Sequence, residues 1–282
     1  GYYMTGLGAK QIALGGAVVA NPQDASTILT NPAGISWLPT SSASVGGDIF
    51  VPLRYLNGQG SQSNVYVVPA AGVAINPKGC NCQESNFTWG IGMYGVSGMG
   101  VDWNNPNGFG MAAPLQKVYS NMQMMEMDIA GSYRIDGHLS IGFAPVFVYQ
   151  AMSLEMDMNN EAIASIAERM GQKIPNGAIT TGTAVNSLNA QNAYGAGFNL
   201  GLVYKLNDMW QFGLAYQSKR WMQTLQWNTI PNAFNPATGQ GMLGGMFDGY
   251  KVRMRLDMPQ TIQFGVNFRP VNNLRIEADA KW

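Results

Sequence analysis

The sequence predicts an all-β protein, a transmembrane antiparallel β-barrel, on three observations: scarce charge, no apolar run long enough for a membrane helix, and long stretches in which apolar and polar residues alternate. Of 282 residues only 11% are charged, with 16 Lys+Arg against 16 Asp+Glu, where soluble domains carry about 25%. A water-facing surface needs more charge than this, yet a content of 46% hydrophobic and 11% aromatic residues is too high for a disordered chain. With no basic excess to neutralise phosphates, nucleic-acid partners are not expected. The longest nearly apolar stretches, 12–20 and 65–75, contain Gly or Pro and fall well short of the ~20 residues of a spanning helix. Few charges without such a helix leave the closed barrel, whose strands need only ~9–11 residues.

Taken in order, residues 1–39 spread Gly6, Gly8, Gly15, Gly16, Pro22, Pro32 and Gly34 among small apolar residues, which predicts a compact, tightly turning segment rather than a spanning strand. Nine strands are predicted beyond it, near 41–55, 65–76, 86–97, 121–135, 139–153, 192–206, 210–226, 250–269 and 274–282. In 121–135, Met125, Met127, Ile129, Gly131 and Tyr133 alternate with Glu126, Asp128, Ala130, Ser132 and Arg134. Asp136-Gly137 then makes a tight hairpin turn, because both residues tolerate positive φ. Leu139, Ile141, Phe143, Phe147 and Tyr149 share the apolar face of the next strand, and Tyr194 to Leu206 and Trp210 to Tyr216 repeat the pattern around Asn207-Asp208. In 250–269 the even-numbered residues are apolar on both sides of Pro259, so one long kinked strand is expected, with Arg253 and Arg255 on the lumen face beside Arg134. Nine strands ending inside a hydrophobic run do not close an even-numbered barrel. The chain is therefore expected to stop short of its natural C-terminus, and its start at Gly1 to be a processed or trimmed one.

Alternation alone does not separate a membrane barrel from a soluble sandwich, whose apolar face would be its core. Loop lengths do: 136–138, 207–209 and 270–273 are short, while 98–120, 154–191 and 228–249 are long. Short turns at one end and long loops at the other are the habit of outer-membrane barrels. Inside the second long loop, 160–171 reads as a helix with Ile163, Ile166, Ala167 and Met170 on one face. It packs onto its own loop, or it offers a greasy landing surface outside the membrane. Cys80 and Cys82 lack the further ligands of a zinc site, and a plain turn or a disulfide fits them. His138 lies in a turn with no Ser-His-acid set around it. Gly6-x-Gly8 and Gly195-x-Gly197 lack the third glycine of a dinucleotide site, and the Asp102-x-Asn104 stretch lacks the closing Glu of a calcium loop. No catalytic residue, metal, cofactor or enzymatic activity is therefore expected.

At the N-terminus, Gly6-Leu7-Gly8-Ala9-Lys10-Gln11-Ile12-Ala13-Leu14-Gly15-Gly16-Ala17, Asp24-Ala25-Ser26 and Asn31-Pro32-Ala33-Gly34-Ile35 follow in an order that resembles the long-chain fatty acid outer-membrane transporters of the FadL/TodX/OMPP1 type. Phe87-x-Trp89-Gly90, Tyr94-Gly95, Gly131-Ser132-Tyr133-Arg134, Pro259-Gln260-Thr261 and Phe268-Arg269-Pro270 carry the resemblance through the whole chain. It implies a barrel of about fourteen strands, an even number as such barrels require, of which about nine are present here. An N-terminal hatch with short helices, 1–39, would plug a barrel formed by 40–282 that carries a helical extracellular loop at 154–191. The implied location is the bacterial outer membrane.

The resemblance further implies passive uptake of hydrophobic compounds, foremost long-chain fatty acids, with aromatic hydrocarbons as the alternative. On matching positions, the ligand would meet an external apolar groove built with Trp103, Phe109, Leu115, Ile163, Ile166 and Met170. It would move to a pocket plugged by Tyr2, Tyr3 and Met4 and leave sideways beside a kinked third strand, at Gly95, Gly98 and Gly100. Glycine weakens strand pairing and marks bends, so the run Gly90 to Gly100 fits a kink; tight packing is its other reading. Asn31-Pro32-Ala33 is the hatch motif, near which a local rearrangement is expected to open the route. Arg134, Arg253 and Arg255 would form a ladder with Glu126, Asp128, Asp257, Glu277 and Asp279 that also anchors the plug, or meet a ligand carboxylate. The implied partners are hydrophobic small molecules and outer-membrane lipid, including lipopolysaccharide, around a monomer. A plugged barrel serving as adhesin or phage receptor is the competing reading, whereas a general diffusion porin would leave the hatch without a purpose.

Overall fold

Apolar side chains lie on the outside of the sheet and polar ones on its inside, the reverse of a soluble sandwich. The computed structural model describes residues 2–77, 86–105, 115–158, 183–228 and 251–282. Ile91, Met93, Ile129, Ile141, Phe143, Phe147, Leu200, Leu214, Ile262 and Phe264 are exposed, while Glu126, Asp128, Ser132, Ser140, Gln150, Asn199, Gln217 and Asn267 are buried. A chain that buries its carboxylates and exposes its phenylalanines has lipid outside and a polar lumen within.

The elements run in order β1 (Tyr2–Tyr3), α1 (Gly8–Ala13), α2 (Thr27–Thr30), a 3-10 turn (Pro32–Trp37), β2 (Ser42–Phe50), β3 (Tyr55–Leu56), β4 (Gln59–Gly60), β5 (Tyr66–Ile75), β6 (Phe87–Asn104), β7 (Leu115–Arg134), β8 (Leu139–Met158) and β9 (Thr183–Lys205). There follow β10 (Trp210–Gln217), β11 (Trp221–Met222), β12 (Leu225–Asn228), β13 (Lys251–Met254), β14 (Thr261–Val271) and β15 (Leu274–Lys281). Nine strands form one antiparallel path, β15-β14-β10-β9-β8-β7-β6-β5-β2, with β2 and β15 at its edges. This is the transmembrane antiparallel β-barrel architecture the alternation predicts, present as an open portion of the wall.

Aromatic side chains mark the two membrane interfaces. At the end with the short turns, Trp210 stacks on Phe268 at 4.2 Å between ring centroids, and Phe87 pairs with Tyr133. At the other end Tyr149 meets Tyr194 at 5.7 Å, next to exposed Trp221. From Tyr194 to Tyr204 along β9 is about 33 Å of strand, which at the usual tilt spans the ~25 Å apolar band of outer-membrane barrels. In the turn between β7 and β8 the Asp136 carboxylate accepts from the backbone N–H groups of His138 and Leu139, both at 2.7 Å. Those two donors hold its pKa below the usual carboxylate value.

Three expectations change. First, β6, β7, β8 and β9 run past their predicted ends, so 98–104, 115–120, 154–158 and 183–191 are strand rather than loop. Many of these residues are polar on both faces, which erases the alternation, but the ladder with neighbouring strands satisfies their backbone. Second, β2 stops at Phe50, and 55–60 forms a separate hairpin around Asn57 (φ 48°) and Gly58 (φ 83°), the Asn-Gly signature of a two-residue turn.

Third, the facing of 250–269 reverses at Pro259. Met254, Leu256 and Met258 pack against buried residues of the lumen, whereas Ile262 and Phe264 face outward. The same happens on the partner strand. Gln217 is buried, then Arg220 and Met222, then Leu225 and Trp227, because extra residues at 218–220 and 223–224 interrupt β10, β11 and β12. Arg253 and Arg255 consequently lie on the outer face, exposed, and not on the lumen face. The predicted helix 160–171 and the Cys80–Cys82 pair lie outside the described residues.

Candidate functional site

Residues 4–38 lie against the inner face of the wall, and the Asn31-Pro32-Ala33 motif is where they are most tightly joined to it. Asn31 Nδ2 donates to Val19 O (2.8 Å) and Leu202 O (3.2 Å), and Asn31 Oδ1 accepts from Ala33 N (3.2 Å). Ala33 O accepts from the hydroxyls of Ser132 and Ser140, each at 3.0 Å. Opposite the motif stand Gly142 and Gly201. A Cβ on Gly142 would overlap the Pro32–Ala33 backbone, and one on Gly201 would come within 2.8 Å of Ala33 N. Asn31→Ala removes three contacts of buried backbone groups and is expected to cost this segment about 2 kcal/mol. Cleavage within 1–39 in limited proteolysis should quicken by about 30-fold, with the heat-modifiable mobility of the barrel unchanged; unchanged cleavage would show that the motif does not hold the segment.

The other motif positions serve the same docking. Tyr94 OH donates to Ala25 O at 3.2 Å, and Gln11 Nε2 donates to Ser26 Oγ at 2.8 Å. Burial pushes the Asp24 carboxyl up, but the Ser26 donors and Lys10 outweigh it, and its pKa lies below the usual value. The expected ladder is not formed on the lumen face, although its Arg255–Asp257 pair meets at 3.0 Å on the outer face; Arg134, Glu277 and Asp279 anchor the N-terminal segment, as expected of the ladder. Arg134 donates to Ser36 O and lies over the Trp37 ring at 4.3 Å. Asp279 accepts from Val18 N and Val19 N at 2.8 and 3.0 Å, and Glu277 meets Asn21. Each binds the N-terminal segment, Arg134 and Asp279 through its backbone groups and Glu277 through the Asn21 side chain.

Glu126 and Asp128 find a cation that the alternation hides. Arg220, itself buried, donates to Glu126 through Nε (3.0 Å) and Nη2 (3.1 Å), and to Asn199 Oδ1 (2.8 Å) and Ser218 O (2.9 Å). Asn199 Nδ2 in turn donates to Asp128 Oδ2 at 3.0 Å. Beside this network stands an apolar, methionine-rich cluster: Val96, Met122, Met124, Met152, Met222 and Trp227, with Met4 and Met254 packed against it. Methionine adapts to apolar shapes of varied kind. Met122 and Met124 continue the lumen face of Glu126, and only the polar stretches around them obscure it in the sequence.

Alongside the cluster the wall is parted. β5 and β6 pair from Ile75↔Trp89 up to Ala70↔Tyr94. Above this, Tyr66 to Pro69 stay with β2, and Pro69 has no N–H to give. β6 continues with β7 on one edge, shifting register between Gly95 and Ser97 so that Val96 is a bulge. Its other edge takes β1, with Tyr2↔Gly98 and Tyr3↔Ser97 in register and Met4 N donating to Val96 O at 3.2 Å. Higher still, Gln62 N donates to Asp102 O at 2.7 Å. Gly95, Gly98 and Gly100 line this parting; a Cβ on Gly95 would meet Val68 Cγ1 at 2.9 Å, and one on Gly100 would meet Tyr66 OH at 2.6 Å.

Of the groove residues, Trp103 is half-buried near the upper end of β6, and Leu115 opens β7 opposite Met158. Phe109, Ile163, Ile166 and Met170 lie outside the described residues.

An antiparallel wall with apolar side chains turned to lipid and a polar inner face holding an N-terminal segment defines an outer-membrane β-barrel. The chain belongs to the outer membrane protein transport family (OMPP1/FadL/TodX), whose family model matches residues 3–282, and its place is the bacterial outer membrane. It is 24% identical over 235 residues to outer membrane protein P1 of Haemophilus influenzae, covering 73% of this chain and 50% of that one. To a long-chain fatty acid transport protein of Escherichia coli O157:H7 it is 23% identical over 211 residues, covering 70% and 46%. The chain thus spans about half the length of these relatives. Among solved structures, the Ralstonia pickettii toluene transporter TbuX superposes with a TM-score of 0.64 at 16% identity, covering 98% of this chain and 71% of that one. The Pseudomonas putida toluene transporter TodX does so at 0.64 and 20%, covering 99% and 70%. These likenesses are of fold.

Proposed function

We propose that the protein takes up hydrophobic compounds passively across the outer membrane, as a monomeric channel without catalysis, with long-chain fatty acids as its foremost ligands. The observation that carries this reading is the methionine-rich lumen cluster lying directly behind a parting of the wall that β1 occupies. An apolar ligand is driven there by its own transfer from water, ~0.8 kcal/mol per methylene. Tyr2, Tyr3 and Met4 form the plug, residues 1–39 the hatch, and Asn31-Pro32-Ala33 its anchorage. Release of β1 from β6 opens the lateral exit at Gly95, Gly98 and Gly100. A fatty-acid carboxylate finds a cation in Arg220 at the border of the cluster by displacing one of its present acceptors. An aromatic hydrocarbon is the second reading, favoured because Arg220 is already fully bonded.

Fluorescence displacement by oleate and by toluene on the full-length protein separates the two. Saturable oleate binding lost on deleting 1–4 supports the fatty-acid reading, toluene binding alone moves the substrate to aromatic hydrocarbons, and binding of neither favours the adhesin or receptor. For the exit route, Tyr3→Cys with Ser97→Cys joins register partners at a separation that a disulfide spans. Uptake should stop when the pair is oxidised and return on reduction; equal uptake in both states would sink the lateral route.

A further inference from the structure

The reversal of facing at Pro259 places a group of cations on the outer wall. On the outward face around β11 and the β12–β13 pair, Lys219 Nζ meets Asp257 Oδ2 at 2.8 Å and Arg255 Nε meets Asp257 Oδ1 at 3.0 Å. The Lys219 and Arg255 side chains are nonetheless 45% and 53% accessible, and Arg253, the register partner of Gln226, is exposed as well. Among the described residues two of these cations share one carboxylate and Arg253 adds a third, which leaves an excess of positive charge. Their level is given by the aromatic belt: Trp221 lies in the same sector opposite Ala196, and Gln223 N donates to Tyr194 O at 2.8 Å. This is the depth of lipid headgroups.

The neighbouring strands β7, β8 and β9 differ at that height. Two register rows above Tyr149 and Tyr194, on the same face, stand Gln123, Ala151 and Asn192 on β7, β8 and β9, all uncharged. Farther out, Lys117 is matched by Glu155 at 2.9 Å. An excess of cations in one sector of a lipid-facing wall, at headgroup depth, is complementary to phosphate, which guanidinium groups bind through paired hydrogen bonds.

We propose that Lys219, Arg253 and Arg255 form a binding site for the phosphorylated sugar headgroup of outer-leaflet glycolipid, and that one lipopolysaccharide molecule docks on this sector. The site rests on the membrane location and not on the transport reading. The test titrates the full chain in detergent with diphosphoryl lipid A and follows the bound lipid by native mass spectrometry. Saturable one-to-one binding that weakens with salt is expected. Arg253→Gln, which leaves both Asp257 contacts in place, should weaken it about 5-fold, and Lys219→Gln/Arg253→Gln/Arg255→Gln on the order of 50-fold. Dephosphorylated lipid A should bind wild type as weakly as diphosphoryl lipid A binds the triple variant, and millimolar inorganic phosphate should not displace the lipid. Equal binding by wild type and Arg253→Gln, or equal binding of the dephosphorylated lipid, would overturn the site. Displacement by inorganic phosphate would make it a site for a free anion instead.

Discussion

Arg220→Ala should lower stability by about 3–5 kcal/mol, because it leaves the Glu126 carboxylate buried without the two bonds that Arg220 supplies. Asp128, whose Oδ1 is buried and unbonded, would lose the nearby cation as well. The expected readout is a large drop in the denaturant midpoint of the detergent-solubilised barrel, or failure to recover the heat-modifiable form. Glu126→Leu with Arg220→Met should restore part of the loss, since apolar residues of similar volume replace a buried ion pair at little cost, while Asn199 Oδ1 and Ser218 O still lack the donors that Arg220 supplied. A single Arg220→Ala variant as stable as wild type would show that the pair does not hold the lumen wall. Glu126→Leu and Arg220→Met made singly complete a cycle with the double that isolates the coupling.

Gly142→Val should detach the N-terminal segment while leaving the wall intact. The new Cβ falls on the Pro32–Ala33 backbone, which has no side-chain freedom with which to retreat, and overpacking of this kind costs about 1–3 kcal/mol or more. On the strand itself valine is well suited. Planar-bilayer recordings should therefore show a conductance absent from wild type, with proteolysis of 1–39 accelerated and the barrel still heat-modifiable. A variant that remains closed would mean that the segment is held elsewhere, at Asp279 or Tyr94 for instance, strongly enough to tolerate displacement of the motif.

The membrane-facing half of the fold is legible because lipid asks one thing of every second residue, and Ile129, Phe143, Leu200 and Phe264 comply over many strands. The Asn31-Pro32-Ala33 motif is legible as an ordered set, and it sits where Ala33 can meet two serines and two glycines of the wall. Arg220 is not legible. Counting by twos from Trp210 puts it outward, and only the extra residues at 218–220, compensated on the partner strand near Pro259, turn it inward. The adjacent charges Lys219-Arg220 were the available signal, since regular alternation cannot place both well. The pairing of β1 with β6 is equally hidden, because two residues show no periodicity and the partner lies more than ninety positions away.

On the proposed lateral route, that pairing decides which molecules pass. Moving β1 aside breaks the Met4–Val96 bond and those of two register pairs, a cost of about 1 kcal/mol per bond in water and several where the edge faces hydrocarbon. A ligand with a tail of two or three carbons recovers too little, at ~0.8 kcal/mol per methylene, to keep the strand displaced. One of ten or more recovers several times that. On that route discrimination by carbon number would arise from a threshold in the wall itself, and flux through the protein should switch on over a narrow range of tail length even if short and long molecules enter the lumen alike.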